Sequence, residues 1–96
     1  MEKFESLSVW GSDTSFLKNK WKIAIYPSSK VDLNKLILRF PTAKIEKWDE
    51  NPDRLYIYPV KGGEPKSIIQ VLDFLGDEGW EPYENNDGKY HLKRKQ

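Results

Sequence analysis

The sequence predicts an α+β fold in which one antiparallel-rich sheet carries two helices on the same face. Strand and helix periodicities alternate along the chain, and a strand-helix-strand unit occurs twice. A chain of 96 residues also provides for a single hydrophobic core. The order strand, helix, strand, strand, helix, strand, strand is typical of a ferredoxin-like βαββαββ arrangement. We therefore expect one two-layer domain over residues 21–96, preceded by an N-terminal arm or extra strand over residues 1–20.

The first half of this domain is predicted to contain a strand, a helix and a hairpin. Residues 21–26 alternate as a strand does. Asp32 is suited to cap a helix that Pro41 ends. The apolar residues of this helix recur at helical spacing: Leu33, Leu36, Ile37 and Phe40. Residues 43–49 and 54–60 then form two strands joined by a short loop.

The second half is predicted to contain a helix and a second hairpin. The apolar residues of the helix fall at i, i+3, i+4 and i+7: Ile68, Val71, Leu72 and Leu75. Gly79 is the predicted left-handed residue at its end, which brings Trp80 back onto the helix. Residues 80–84 and 89–94 form the hairpin, with Asp-Gly in its turn. Because Pro82 cannot donate to a strand ladder, its strand should lie at an edge, be short or carry a bulge.

A segment at the end of the second helix resembles a family of small uncharacterised bacterial proteins. It reads Leu72-x-x-Leu75-Gly76-Asp77-Glu78-Gly79-Trp80-Glu81, follows a strand, and precedes a turn and a strand ending Lys93-Arg94. Those proteins read strand, helix, L-G-x-E-G-W-E, strand, and strand ending K-R, and the similarity covers about residues 54–96. Pro82 departs from the apolar residue usual after that Glu. The resemblance implies a βαββ arrangement with Trp80 packed under the helix end, and it implies no catalytic residue or activity.

The composition excludes several classes of chemistry. The chain has no cysteine and one histidine, His91, so disulfides, thiolate nucleophiles and multi-histidine metal sites are absent. Lys and Arg total 16 against 15 Asp and Glu, which gives no overall attraction to nucleic acid or anionic membranes. The N-terminal segment carries both positive and negative side chains, and no apolar stretch follows it. We expect a soluble, cytoplasmic protein with no membrane partner.

Three polar motifs are better explained by structure than by catalysis. The Gly-rich segment 61–67 lacks the Gly-Lys-Ser/Thr ending of a phosphate-binding loop. The acidic residues near the second helix end and in the first hairpin loop lack the spacing of a calcium loop. His91 has no Ser, Asp or Glu beside it in sequence to form a catalytic pair. We expect no catalytic residue, no metal site and no cofactor.

Strand parity gives the most informative functional signal. If the isoleucines and leucine of the first three strands face the helices, the opposite face carries Tyr26, Trp48, Tyr56 and Tyr58. The open face of a two-layer fold is normally polar, so these aromatic side chains require a cover. Three covers are considered: the apolar N-terminal arm, a second protein that is identical or different, or the stacked bases of a single-stranded nucleic acid.

We interpret the protein as a small non-enzymatic binding module, with a regulatory or inhibitory role, whose partner is another protein. The four aromatic residues are the predicted anchors, and Lys44 and Glu46 are their polar neighbours. The alternative is single-stranded nucleic-acid binding, with the same aromatics for stacking and Lys22, Lys93 and Arg94 for phosphates. The octamer typical of RNA-binding sheets is absent, and acidic residues are as frequent as basic ones.

Overall fold

The structure, a computed structural model, describes residues 3–13, 21–48, 53–60 and 62–95. The strands in these ranges are β1 (Phe4–Asp13), β2 (Trp21–Tyr26), β3 (Lys44–Trp48), β4 (Arg54–Tyr58), β5 (Glu81–Asn86) and β6 (Lys89–Lys95). The helices are α1 (Leu33–Arg39) and α2 (Ile68–Asp77), and one 3-10 turn covers Ser28–Lys30. The predicted α+β class, with two helices and an antiparallel sheet, is confirmed.

The six strands form one antiparallel sheet in the order β3-β4-β2-β1-β6-β5. This order differs from a simple ferredoxin-like sheet because β1 occupies the middle. Val9 lies opposite Ile25 of β2, and Leu7 lies opposite Leu92 of β6. Both β1 side chains are buried, so pairing on both edges gives β1 an apolar face within the core. Residues 4–13 are therefore an internal strand, while residues 14–20 lie outside the described part of the chain.

The strand pairing divides the sheet into two similar units. In the first, β2 is followed by α1 and by the β3–β4 hairpin, and β4 pairs with β2. In the second, α2 is followed by the β5–β6 hairpin, and β6 pairs with β1. The chain order had indicated β4 as the strand that precedes α2 in a βαββ unit. The structure instead completes that unit with β1, which comes from the N-terminus.

Both helices pack on one face of the sheet. The Asp32 carboxylate accepts a hydrogen bond of 3.2 Å from the Lys35 backbone N–H, which confirms Asp32 as the cap of α1. The rings of Phe40 and Phe74 meet edge to face with centroids 6.3 Å apart, so the two helices touch each other. The core lies between these helices and the inward side chains of four strands: Leu7, Val9, Ile23, Ile25, Leu55, Ile57 and Leu92.

The end of α2 follows the predicted pattern. Gly79 has a φ of 94°, its N–H donates to the Gly76 carbonyl at 3.0 Å, and the Trp80 N–H donates to the Leu75 carbonyl at 3.0 Å. These two bonds define a Schellman motif, which satisfies helix-end carbonyls and turns the chain back. Trp80 is thereby folded into the core, with 2% of its surface exposed.

Two glycines of this helix end should respond oppositely to replacement by alanine. Gly79→Ala is expected to lower the free energy of unfolding by about 1–2 kcal/mol, because a side chain is strained at positive φ. Gly76→Ala is expected to raise it by about 0.5–1 kcal/mol, because a Cβ there meets open space and alanine favours helix. Urea unfolding of both variants measures the difference, and equal effects would contradict the left-handed role of Gly79.

The β5–β6 hairpin forms one edge of the sheet. Pro82 lies in β5, the edge strand, and the register shifts between Pro82 and Glu84. Both features agree with the prediction that a proline, which has no backbone N–H, restricts its strand to an edge, a short length or a bulge. Asp87 and Gly88 have φ values of 51° and 84°, as a type I′ turn requires.

Candidate functional site

The face of the sheet opposite the helices, called the outer face below, carries aromatic and basic side chains. The registers align one row across four strands: Trp10 lies opposite Ala24, Ala24 opposite Tyr56, and Tyr56 opposite Glu46. Ala24 is small, and its side chain is fully buried although it lies on this face. The outer face is thus a continuous surface formed by strands from both units.

No described element packs on the outer face. Phe4 is 51% exposed, Tyr26 43% and Tyr83 53%, although all three are large aromatic residues. Both helices lie on the other face, and β1 lies within the plane of the sheet. The expectation that the N-terminal arm covers the aromatics is therefore wrong for residues 4–13. Those residues contribute two further aromatic side chains to the face, Phe4 and Trp10.

A basic group lies over most of these rings. The Lys22 ammonium is 4.2 Å from the centroid of the Tyr56 ring and 5.9 Å from that of Tyr58. Lys93 lies 5.1 Å from the Phe4 centroid and 5.9 Å from the Tyr83 centroid. Such cation–π contacts contribute about 0.5–1 kcal/mol at exposed sites. They hold the lysines close to the aromatic surface.

Trp10 lies beside two cations. The Arg54 guanidinium is 5.6 Å and the Lys89 ammonium 4.8 Å from its ring centroid. The Arg54 Nη1 also donates to the Tyr56 hydroxyl at 3.3 Å, and its Nε is buried without a partner among the described residues. This end of the face is therefore both aromatic and positively charged.

The outer face is more basic than the chain as a whole. Strand parity places three acidic side chains on it, all on the two edge strands: Glu46, Glu81 and Glu84. It places six basic side chains there: Lys22, Lys44, Arg54, Lys89, Lys93 and Lys95. The described outer face thus has an excess of three positive charges, whereas the whole chain has a net charge of +1.

Two outer-face residues have hydroxyl groups in defined hydrogen-bonding environments. Burial, with help from the neighbouring Glu46, raises the pKa of Tyr58, so its hydroxyl remains a donor at neutral pH. Ser8 Oγ and His91 Nδ1 are 2.8 Å apart, and the His91 ring lies 6.3 Å from that of Tyr83. The Ser8–His91 contact joins β1 to β6, so we interpret it as structural.

The structure brings most of the predicted binding residues together. Those on the outer face are Tyr26, Tyr56, Tyr58, Lys22, Lys44 and Lys93. Trp48 ends β3, opposite Arg54, but its side chain is outside the described part of the molecule. Arg94 does not join this group. It follows Lys93 directly, so alternation turns its side chain to the helix side.

Arg94 stabilises the helix side of the sheet instead of binding phosphate with Lys93. Its guanidinium lies 4.5 Å from the Trp80 ring centroid and donates to the Glu78 carbonyl at 3.3 Å. It also pairs with the Glu5 carboxylate at 2.9 Å. Hydrogen bonds from Lys30 and from Arg94 hold the pKa of Glu5 below its usual value. Arg94 therefore joins β1, β6 and the end of α2.

The outer-face residues that the sequence analysis missed include Phe4, Trp10, Arg54, Tyr83 and Lys89. The alternation of Leu7 and Val9 with Ser8 and Trp10 could have predicted the side on which Trp10 lies. Tyr83 carried no such signal, because the bulge in β5 changes the parity at that residue. Its side chain then lies near His91 and Lys93 on the outer face.

A cavity of about 860 Å³ lies next to the end of the outer face where two cations flank Trp10. Trp10, Arg54 and Lys89 border it on the sheet, and residues at the start of α2 border it on the other side. In the described ranges, no group of three or more His, Asp or Glu residues could hold a metal ion. Neither helix that the structure describes is long and apolar enough to cross a membrane.

Comparison of the chain with protein-family models, with curated protein sequences and with solved structures finds no match in any of the three. The geometry and charge of the outer face and of the adjoining cavity are therefore the observations that bear on function.

Proposed function

We propose that the protein is a non-enzymatic binding module. Its outer face binds an acidic, partly apolar surface of another protein. The observation that carries this proposal is the exposure of Phe4, Tyr26 and Tyr83 on a sheet face that no described element covers. Aromatic residues are enriched at protein interfaces, where they bury large areas at a small entropic cost. The excess of basic side chains favours an acidic partner.

The arrangement of charge favours a protein over a nucleic acid. A strand of nucleic acid that crossed the sheet from edge to edge would pass Glu46 at one edge and Glu81 and Glu84 at the other. These carboxylates would repel its phosphates. A protein surface with separate acidic groups does not meet this obstacle.

Single-stranded nucleic acid remains the second candidate because basic and aromatic side chains alternate on the face. The Tyr56 and Tyr58 rings have centroids 6.3 Å apart, with Lys22 beside both. Neighbouring aromatic rings with interleaved lysines are typical of surfaces that stack bases and bind phosphates.

Replacing Tyr26 and Tyr83 by Ser is expected to abolish capture of the protein partner. Both side chains are highly exposed, so the double variant should fold normally. The measurement is affinity capture from nuclease-treated extract of the source cells, followed by binding of the purified partner. Ile69→Ser is the matched control, because Ile69 is 53% exposed on α2, on the opposite side of the molecule. A partner that binds both variants equally would contradict the proposal.

The unmodified chain and the Tyr26 and Tyr83 double variant also test the nucleic-acid alternative. If the partner is a protein, the chain should bind fluorescent single-stranded oligonucleotides only weakly. If the chain binds nucleic acid through phosphates, its affinity should fall steeply between about 50 and 200 mM salt. Tight oligonucleotide binding with that salt dependence, lost in the Tyr26 and Tyr83 double variant, would favour nucleic acid instead. Light scattering of the purified chain shows whether the partner is a second copy.

A further inference from the structure

The cavity at the end of the sheet combines basic groups with aromatic walls. It opens where β1 extends beyond Lys89, the first residue of β6, and where α2 begins. Arg54, Lys66 and Lys89 supply three positive charges, and Trp10 and Tyr90 supply aromatic surface. Its volume of about 860 Å³ is in the range of small-molecule sites.

The charges at this cavity are not balanced by the residues that line it. The Arg54 guanidinium and the Lys89 ammonium lie 5.6 Å and 4.8 Å from the Trp10 ring centroid, so both cations are held at this aromatic side chain. Asp87 is the one acidic residue among the lining residues that the structure describes. The Arg54 Nε is buried without a hydrogen-bond partner among the described residues. An anion in the cavity would balance the positive charge of the described lining residues.

The net charge of the lining indicates the class of anion. Three basic residues and one acidic residue leave an excess of two positive charges among the described lining residues. A phosphate monoester carries about −1.5 to −2 charges at neutral pH and so balances that excess. A phosphate group alone would leave most of the cavity empty, whereas an attached ring can stack on Trp10.

We propose that this cavity binds a phosphate monoester of an aromatic small molecule, of which nucleoside monophosphates are representative. The phosphate lies among Arg54, Lys66 and Lys89, and the aromatic group packs against Trp10. This inference is tested separately from the protein partner proposed above, although Trp10, Arg54 and Lys89 also lie on the outer face.

The ligand class is tested by NMR titration of the full chain at constant ionic strength. The probes are adenosine 5′-monophosphate, adenosine, inorganic phosphate and glycerol 3-phosphate. We expect the nucleotide to bind at least about tenfold more tightly than each other probe, since only it supplies both ring and phosphate. Absence of nucleotide binding up to about 10 mM, or equal binding by inorganic phosphate, would overturn the proposal.

Matched lysine variants locate the site. Lys66→Gln and Lys89→Gln are each expected to weaken nucleotide binding about fivefold to tenfold. Lys93→Gln is the control, because Lys93 shares a strand, a face and a charge with Lys89 but does not line the cavity. Equal weakening by all three would indicate unspecific charge attraction and would overturn the proposal. Lys66 and Lys89 are exposed, so their loss should leave the NMR spectrum of the folded chain intact.

Failure of this test leaves the proposed protein partner unaffected. Tyr26 and Tyr83, the residues replaced to test that partner, do not line the cavity. A chain that binds nucleotide but no partner protein, or the reverse, would therefore separate the two proposals.

Discussion

Replacing Trp80 by Ala is expected to lower the free energy of unfolding by about 3–5 kcal/mol. Only 2% of Trp80 is exposed, and its ring packs beneath the end of α2 with the Arg94 guanidinium on its face. The substitution removes this apolar contact and leaves a cavity that the surrounding backbone fills only in part. Because a small domain has a total stability of about 5–15 kcal/mol, the loss is a large share of it.

Urea unfolding followed by far-UV circular dichroism measures the effect. Leu38→Ala is a suitable control, since Leu38 is 80% exposed on α1, and its change should stay within about 0.5 kcal/mol. A loss below 1 kcal/mol for Trp80→Ala would show that the side chain is not part of the core.

Replacing Val9 by Asp is expected to unfold most of the protein at 25 °C. Val9 is fully buried in β1, where it lies opposite Ile25 of β2 and Tyr90 of β6. A carboxylate there would lack a partner, and an unpaired buried charge costs several kcal/mol. Because β1 joins the two units of the sheet, local loss of its pairing affects both. Deleting residues 1–13 should have the same outcome.

Ser6→Asp provides the matched control for Val9→Asp. Ser6 lies in the same strand, but its side chain is exposed on the outer face beside Lys93. The control should keep its near-UV circular dichroism and its cooperative unfolding transition. If Val9→Asp or the deletion also kept both, the central position of β1 in the sheet would be wrong.

The placement of β1 changes how the aromatic face is interpreted. A separate arm could have covered Tyr26, Tyr56 and Tyr58 without a partner. A strand within the sheet cannot do so, and β1 instead adds Trp10 and Phe4 to the exposed aromatic surface. The outer face and its adjoining cavity are therefore available to ligands as far as the described residues show.

Local signals in the sequence determined the individual elements. The Asp32 cap, the Gly79–Trp80 helix end, the Asp87–Gly88 turn and the restriction that Pro82 places on its strand were all predictable. Each depends on dihedral preferences or hydrogen bonds among residues a few positions apart. Six of the eight predicted binding residues reach the outer face for a related reason, because side-chain alternation is a property of each strand alone.

The tertiary structure decided which strands meet. The pairing of β1 with β2 and β6 joins residues as distant as Phe4 and Lys95, and no local preference specifies that choice. It depends on which pairing buries Leu7 and Val9 against both helices. The same long-range pairing unites Arg94 with Glu5, and it brings Trp10 between Arg54 and Lys89. The predicted binding residues could thus be assigned to a face from sequence, but the cavity required strands from both ends of the chain to lie side by side.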